Sequence, residues 1–128
     1  MKNKIKGSNA ERELIHLLWE AGWAALRAAG SGSTPHLCPD ILAGNGKRVL
    51  AIECKSVRTS RKYFPFEEIH DLIRFSKKFG AEPIVGVRFL KKPWKFFSAH
   101  SLPITTNHYV VTESSADTSG KTLQELLL

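Results

Sequence analysis

Residues 39–55 read PDILAGNGKRVLAIECK, with two short apolar runs on either side of a Gly-Asn-Gly-Lys segment. This pattern is typical of a tight β-hairpin, because Asn and Gly tolerate the positive φ that such turns require. If Asn45 and Gly46 form the centre of the turn, Asp40 pairs with Ala51 and becomes a diagonal neighbour of Glu53. The sequence therefore predicts a hairpin that carries two acids near one end.

The hairpin also places a lysine beside the two acids. Since side chains alternate between the faces of a strand, Glu53 and Lys55 share a face with Asp40. Carboxylate oxygens hold Mg²⁺ or Mn²⁺, and such an ion, with an ammonium nearby, can polarise and stabilise a phosphate under attack by water. We interpret Asp40 and Glu53 as metal ligands and Lys55 as a catalytic lysine of a phosphodiester-cutting site. The alternative from these residues alone is an exposed strand edge beside a loop.

A third acid, Glu11, lies on the first predicted helix, which begins near Ser8 and ends at Gly22. It precedes Leu14 by three residues, so it projects from the side of the helix that faces the core. Ser8 and Glu11 also fit a capping box, in which the glutamate bonds a backbone N–H at the helix start. The spacing supports a capping role and a metal-ligating role equally.

Composition indicates one basic globular domain. The chain has 128 residues, 42% hydrophobic and 24% charged, and nineteen Lys and Arg against twelve Asp and Glu give a net charge of +7. A polyanionic partner such as nucleic acid fits this excess. We expect a single nuclease domain over residues 1–128, with a basic flexible arm at 1–7 and a C-terminal tail at 117–128. Three basic clusters are expected to supply the phosphate contacts: Lys2, Lys4 and Lys6; Arg58, Arg61 and Lys62; and Lys91, Lys92 and Lys95.

The remaining patterns predict an α/β fold with a central mixed β-sheet flanked by helices. A strand at 23–27 and a Gly/Ser-rich loop precede the hairpin, a helix at 66–79 with Gly80 as its stop follows it, and strands at 83–89 and 94–97 come next. Cys38 and Cys54 form no disulfide framework or zinc pattern. No apolar stretch approaches the roughly 20 residues of a membrane span, and no signal sequence is evident, so we expect a cytoplasmic protein without a membrane partner.

The chain resembles the archaeal Holliday junction resolvases from about Lys6 to Val111. The resemblance rests on ordered segments with the spacing of that family. These are Gly7 with Glu11-Arg12-Glu13-Leu14, Leu26-Arg27-Ala28, Gly30-Ser31-Gly32-Ser33, Pro39-Asp40, Gly44-Asn45-Gly46-Lys47, Glu53-Cys54-Lys55, residues 72–80 and Trp94-Lys95-Phe96.

The resemblance implies a restriction-endonuclease-like fold, a homodimer, and paired cuts in four-way junction DNA in homologous recombination and DNA repair. Position by position, it assigns the metal site to Glu11, Asp40 and Glu53, and catalysis also to Lys55 and Ser31. Arg12 and Arg27 become catalytic or phosphate-contacting arginines. Ser33 stands in the same Gly-Ser run as Ser31, so either serine can be the one that acts.

Two other functions remain open from the sequence. One is a repair or site-specific nuclease of the same fold that cuts ordinary duplex DNA. The other is a basic architectural module in which the acids are structural. The C-terminal leucines are expected to dock on their own domain, with a protein partner as the alternative.

Overall fold

The computed structural model describes residues 2–28 and 37–128, with side chains from residue 9 onward. The helices are α1 (Lys2–Glu20), α2 (Phe66–Phe79), α3 (Glu113–Ser119) and α4 (Leu123–Leu127). The strands are β1 (Ala24–Arg27), β2 (Ile41–Gly44), β3 (Val49–Val57), β4 (Arg61–Pro65), β5 (Glu82–Phe89), β6 (Lys95–Ser98) and β7 (His108–Thr112). None of the helices in this part of the chain has the length and hydropathy of a membrane-spanning segment.

A five-stranded mixed sheet in the order β1-β2-β3-β5-β6 forms the centre of the fold. Only β3 and β5 run parallel, with α2 in the connection between them, and the other neighbours are antiparallel. One face packs on α1 and α4, and the other face packs on α2 and on the two-stranded β4-β7 sheet. The predicted α/β fold with a central mixed sheet flanked by helices is therefore confirmed.

The hairpin forms with a register two residues away from the predicted one. Gly44 pairs with Val49 and Leu42 with Ala51. The cause is the turn: Gly46, with φ of 90°, follows Asn45, whose side-chain oxygen accepts bonds from two backbone N–H groups further along the turn. A shift of two leaves every side chain on its predicted face, because the strand period is two.

The first helix begins earlier than expected. It starts at Lys2, so the backbone of residues 2–7, predicted as a flexible arm, is helical. The single Gly7 lowers helix stability by only about 1 kcal/mol relative to Ala, and none of its neighbours is a proline. Ser8 therefore lies inside the helix and not at its N-cap, and the capping-box interpretation of Glu11 is wrong.

The C-terminal segment, predicted as a tail over residues 117–128, is folded. It contains the end of α3 and all of α4. Leu126 is buried in the cluster beneath α1, and its carbonyl accepts a bond of 3.1 Å from Arg48 Nη1. The expectation that the C-terminal leucines dock on their own domain is confirmed for Leu126, whereas Leu128 is exposed.

Helix α2 has the predicted bounds and ends at Gly80, whose φ is 86°. Ile69, Leu72 and Ser76 face the core, whereas Phe79 is 55% exposed. Strand β4 was not predicted. It pairs with β7, which lies more than forty residues away, so only a long-range contact defines it.

Candidate active site

Asp40 and Glu53 face each other across the hairpin. Ile41 pairs with Ile52, so Asp40, one residue earlier, stands directly opposite Glu53 and not diagonal to it as predicted. The backbone N–H of Asp40 donates to the Ile52 carbonyl at 3.0 Å, and the Asp40 Oδ2 accepts from the Cys54 N–H at 2.7 Å. Backbone bonds at both ends of the residue therefore fix the position of the Asp40 carboxylate.

Lys55 lies next to this pair on the same strand. Its Nζ is 3.6 Å from Glu53 Oε2 and 3.0 Å from Glu68 Oε1 in the first turn of α2. The Lys55 side chain is 29% exposed. The structure thus brings together three of the predicted residues and adds Glu68, which the sequence interpretation missed. The only signal for it was an acid directly before the buried Ile69 of α2.

Burial and mutual repulsion raise the pKa values of the acids. Burial raises the pKa of Glu53 to about 8, with a further contribution from the Asp40 charge that Lys55 only partly offsets. Burial also raises the pKa of Asp40, although the bond from the Cys54 N–H opposes this. Burial lowers the pKa of Lys55, but its bond to Glu68 and the surrounding acids outweigh that effect and the pKa is raised. The positive charge near the two acids is therefore too small to offset their burial and repulsion, while Lys55 stays protonated.

Glu11 approaches the site from α1. Its Oε1 lies 3.5 Å from Arg27 Nε on β1, and its side chain is only 15% exposed. Burial and then the Asp40 charge raise the pKa of Glu11, against the lowering effect of Arg27. The predicted acid and the predicted arginine are therefore paired at the edge of the site.

The donor chemistry of the site fits a hard divalent cation. Asp40 and Glu53 offer carboxylate oxygens, the ligands that Mg²⁺ prefers, and their raised pKa values are those of acids short of a counter-charge. Within residues 9–28 and 37–128, no three His, Cys, Asp or Glu side chains converge on one ion position. Asp40 and Glu53 are thus the two predicted ligands that stand together, and Glu11 is turned toward Arg27.

Comparison with known proteins identifies the family of the chain. A model of the archaeal Holliday junction resolvase (Hjc) family matches residues 2–127. The chain belongs to the archaeal Holliday junction resolvase family. The crossover junction endodeoxyribonuclease Hjc of Archaeoglobus fulgidus is 41% identical over 129 residues, which cover 95% of each chain. That of Methanocaldococcus jannaschii is 36% identical over 114 residues, 88% of this chain and 81% of the relative.

A solved structure extends the likeness to three dimensions. The structure of Archaeoglobus fulgidus Hjc, a Holliday junction resolvase from an archaeal hyperthermophile, superimposes with a TM-score of 0.86 at 38% identity. The match covers 94% of this chain and 98% of that one. The restriction-endonuclease-like fold predicted from the resemblance is therefore confirmed.

The predicted DNA-contacting residues of this resolvase-family chain lie on several different elements. Arg12 is exposed and its Nη1 lies 3.4 Å from Asn9 Oδ1. Arg58, just beyond the end of β3, lines a cleft of about 260 Å³ together with Lys91, from another of the predicted basic clusters, and Arg88, which was not predicted as a contact. Arg61 is exposed on β4, and Lys62 is half-buried there. Ser31 and Ser33, and the side chains of Lys4 and Lys6, lie outside the described residues.

Proposed function

We propose that this protein is an endonuclease that resolves four-way Holliday junctions by metal-dependent hydrolysis of two symmetry-related strands, in homologous recombination and DNA repair. The observation that carries the proposal is the pair of Asp40 and Glu53, directly opposite each other, with Lys55 3.6 Å from Glu53. A phosphodiester-cutting site needs hard oxygen ligands and a cation beside them, and this pair and this lysine provide both. Membership of the resolvase family supports the four-way junction as the substrate.

Each residue has a distinct role in the proposed reaction. The Cys54 N–H fixes the orientation of Asp40, whose carboxyl group also interacts with the Glu53 side chain opposite it, and Asp40 is assigned as a metal ligand. Glu53 carries a proton near neutral pH because burial raises its pKa to about 8, and it must release that proton to act as a ligand. Lys55 keeps its charge and stabilises the negative charge that develops on the phosphate.

Asp40 and Glu53 would hold Mg²⁺, for which we expect Mn²⁺ to substitute, and the bound ion would supply Lewis-acid polarisation of the phosphate and a lower pKa for the attacking water. Glu11 is assigned as the third acid of the site, balanced by Arg27 until substrate is bound. Arg27 and Arg12 are assigned as catalytic or phosphate-contacting arginines. The resemblance also assigns a catalytic role to Ser31, or to Ser33 in its place.

The proposed enzyme acts as a homodimer. One domain with one site cuts one strand, whereas resolution of a junction needs two cuts related by a two-fold axis. An apolar surface suits a second copy: Trp19, Leu26 and Phe79 are each more than half exposed and line one groove of about 380 Å³ beside the edge strand β1. The groove is continuous with Ala24 and Gly44 of the sheet edge.

Shape and charge, not base sequence, select the substrate. Arg12 on α1, Arg58 just beyond β3 and Arg61 on β4 are exposed, and contacts from such guanidinium groups to phosphates position the DNA without reading bases. Junction affinity is therefore expected to fall steeply as salt rises, with little dependence on the sequence of the arms.

A supercoiled plasmid with an extruded cruciform tests the proposal. Paired cuts within one binding event convert it to linear DNA, whereas independent single cuts accumulate the nicked circle. A linear duplex of the same sequence is the matched control substrate and should stay intact. Equal cleavage of that duplex would favour a repair or site-specific nuclease. Junction binding without cleavage in any divalent cation would favour an architectural module.

A further inference from the structure

The ammonium of Lys55 lies between two carboxylates from different elements. Glu53 lies two residues earlier on β3, and Glu68 extends from α2, on the other side of the site. The Lys55 Nζ is 3.0 Å from Glu68 Oε1 but 3.6 Å from Glu53 Oε2. Only the shorter separation lies within the ordinary range of an N–H···O bond. Glu68 is therefore the group that holds the lysine.

The two carboxylates compete for one ammonium. The contact with Glu68 holds the ammonium 3.6 Å from Glu53 Oε2, beyond the range of a hydrogen bond, and keeps its charge beside the acidic pair. Glu68 also interacts directly with Glu53, and this contact is a further cause of the raised pKa of Glu53. The geometry thus separates the two catalytic functions, one for the acids and one for the lysine.

The position of Glu68 is set by the packing of α2. Ile69 and Leu72, one and four residues later, are buried against the central sheet, so the flank that carries Glu68 is turned toward β3. The side chain of Glu68 is 31% exposed. Because packing fixes the backbone of α2, only the side-chain torsions of Glu68 remain to be ordered when it binds Lys55.

A favourable interaction with the helix dipole does not account for this contact. The first turn of α2 carries two acids, Glu67 and Glu68, and both suit the positive end of the helix. Glu67 is exposed, whereas Glu68 reaches into the site. Glu67 therefore serves as a control, since its removal changes the helix terminus without touching Lys55.

We infer that Glu68 is a positioning residue for the cleavage reaction, which holds the ammonium of Lys55 away from Glu53 and in place for the phosphate. This inference rests on the proposed function, because it assigns Glu68 a role in the same reaction. Loss of a positioning partner behind a catalytic group typically slows a reaction by about 10- to 100-fold. DNA binding, which uses other residues, should change little.

The test is a mutant cycle of Glu68→Ala, Lys55→Ala and the double variant, with Glu67→Ala as control. Single-turnover cleavage rates and junction dissociation constants are measured at saturating Mg²⁺, with circular dichroism to verify folding. Glu68→Ala should cleave about 10- to 100-fold more slowly than wild type with a dissociation constant within about twofold. Glu67→Ala should match wild type, and the double variant should match Lys55→Ala, because Glu68 acts through the lysine.

Glu68→Gln keeps an oxygen acceptor at the same length and should recover part of the rate; it also replaces Glu68→Ala if that variant does not fold. Two results would overturn the inference. One is equal rates for the variants at positions 67 and 68. The other is an equal loss from Glu68→Ala in the wild-type and Lys55→Ala backgrounds. A wild type that binds junctions but cuts none in any cation would instead refute the proposed function.

Discussion

Glu53→Gln should stabilise the folded protein in EDTA, and by more at pH 8 than at pH 5. Glu53 is buried opposite Asp40, and its pKa in the folded state is about 8 against an ordinary 4.5. The difference is about 3.5, and at about 1.4 kcal/mol for each pKa unit it corresponds to about 5 kcal/mol as an upper bound. Since Asp40 shares the repulsion, we expect about 2 to 3 kcal/mol from the substitution at pH 8.

The sign follows from proton binding. Between pH 4.5 and about 8 the unfolded chain has released the Glu53 proton while the folded protein retains it, so wild-type stability falls as pH rises through this window. Glutamine has no proton to release and removes that fall. The advantage of Glu53→Gln should therefore be small near pH 5 and reach its full size near pH 8.

Denaturation by guanidinium chloride in EDTA at pH 5, 6, 7 and 8 measures the effect. Glu67→Gln is the control, because it removes an exposed acid from α2 and should differ from wild type by the same amount, within about 0.5 kcal/mol, at every pH. If Glu53→Gln gained no more stability at pH 8 than at pH 5, the acidic pair would not be repulsive and the electrostatic account of the site would fail.

Three further predictions concern the cation, the C-terminus and the sheet. Apparent Mg²⁺ affinity, measured by calorimetry, should rise between pH 6 and pH 8, because binding must displace the proton from the acidic pair; a flat profile would contradict this. Arg48→Ala removes two hydrogen bonds to Glu82, of 2.8 and 2.9 Å, and the bond to the Leu126 carbonyl of α4. The free energy of unfolding should therefore drop by about 1 to 2 kcal/mol, and proteolysis of the C-terminus should accelerate. An unchanged proteolysis rate would show that the arginine does not retain α4. Gly86→Ala would place a Cβ 2.9 Å from the Phe96 ring and should lower the free energy of unfolding by about 1 to 3 kcal/mol. Gly44→Ala, whose Cβ would have its nearest atom at 3.6 Å, should lower it less. Equal losses of stability would refute the overpacking argument.

The faces of the hairpin could be predicted from the sequence, but its register could not. Because side chains alternate between the two faces of a strand, Asp40 and Glu53 lie on the same face for any register shift of an even number of residues. An Asn-Gly pair suits either of two turn positions, and the choice depends on where the Asn45 side chain finds its bonds. The pairing partner of Asp40 therefore depends on local hydrogen bonds that the amino-acid sequence alone does not reveal.

Contacts between distant elements were the least predictable part of the site. The α2 pattern fixes which side of the helix is buried, but not that Glu68 lies 3.0 Å from Lys55, since that depends on how the helix crosses β3. The same holds for the Glu11–Arg27 pair, which joins α1 to β1. The resemblance named Glu11, and only the packing of the helix shows which residue it meets.

Cleavage of an end-labelled synthetic four-way junction by wild type, Asp40→Asn and Asp117→Asn, in Mg²⁺ or in EDTA, tests the central claim most directly. Asp117 pairs with Lys92 on the surface, so Asp117→Asn removes an acid of the same type outside the site. Wild type and Asp117→Asn should produce paired nicks near the branch point in Mg²⁺ only, and Asp40→Asn should bind the junction without cutting it. Cleavage by Asp40→Asn at the wild-type rate, or cleavage by wild type in EDTA, would contradict the assignment of Asp40 and Glu53 as the catalytic centre.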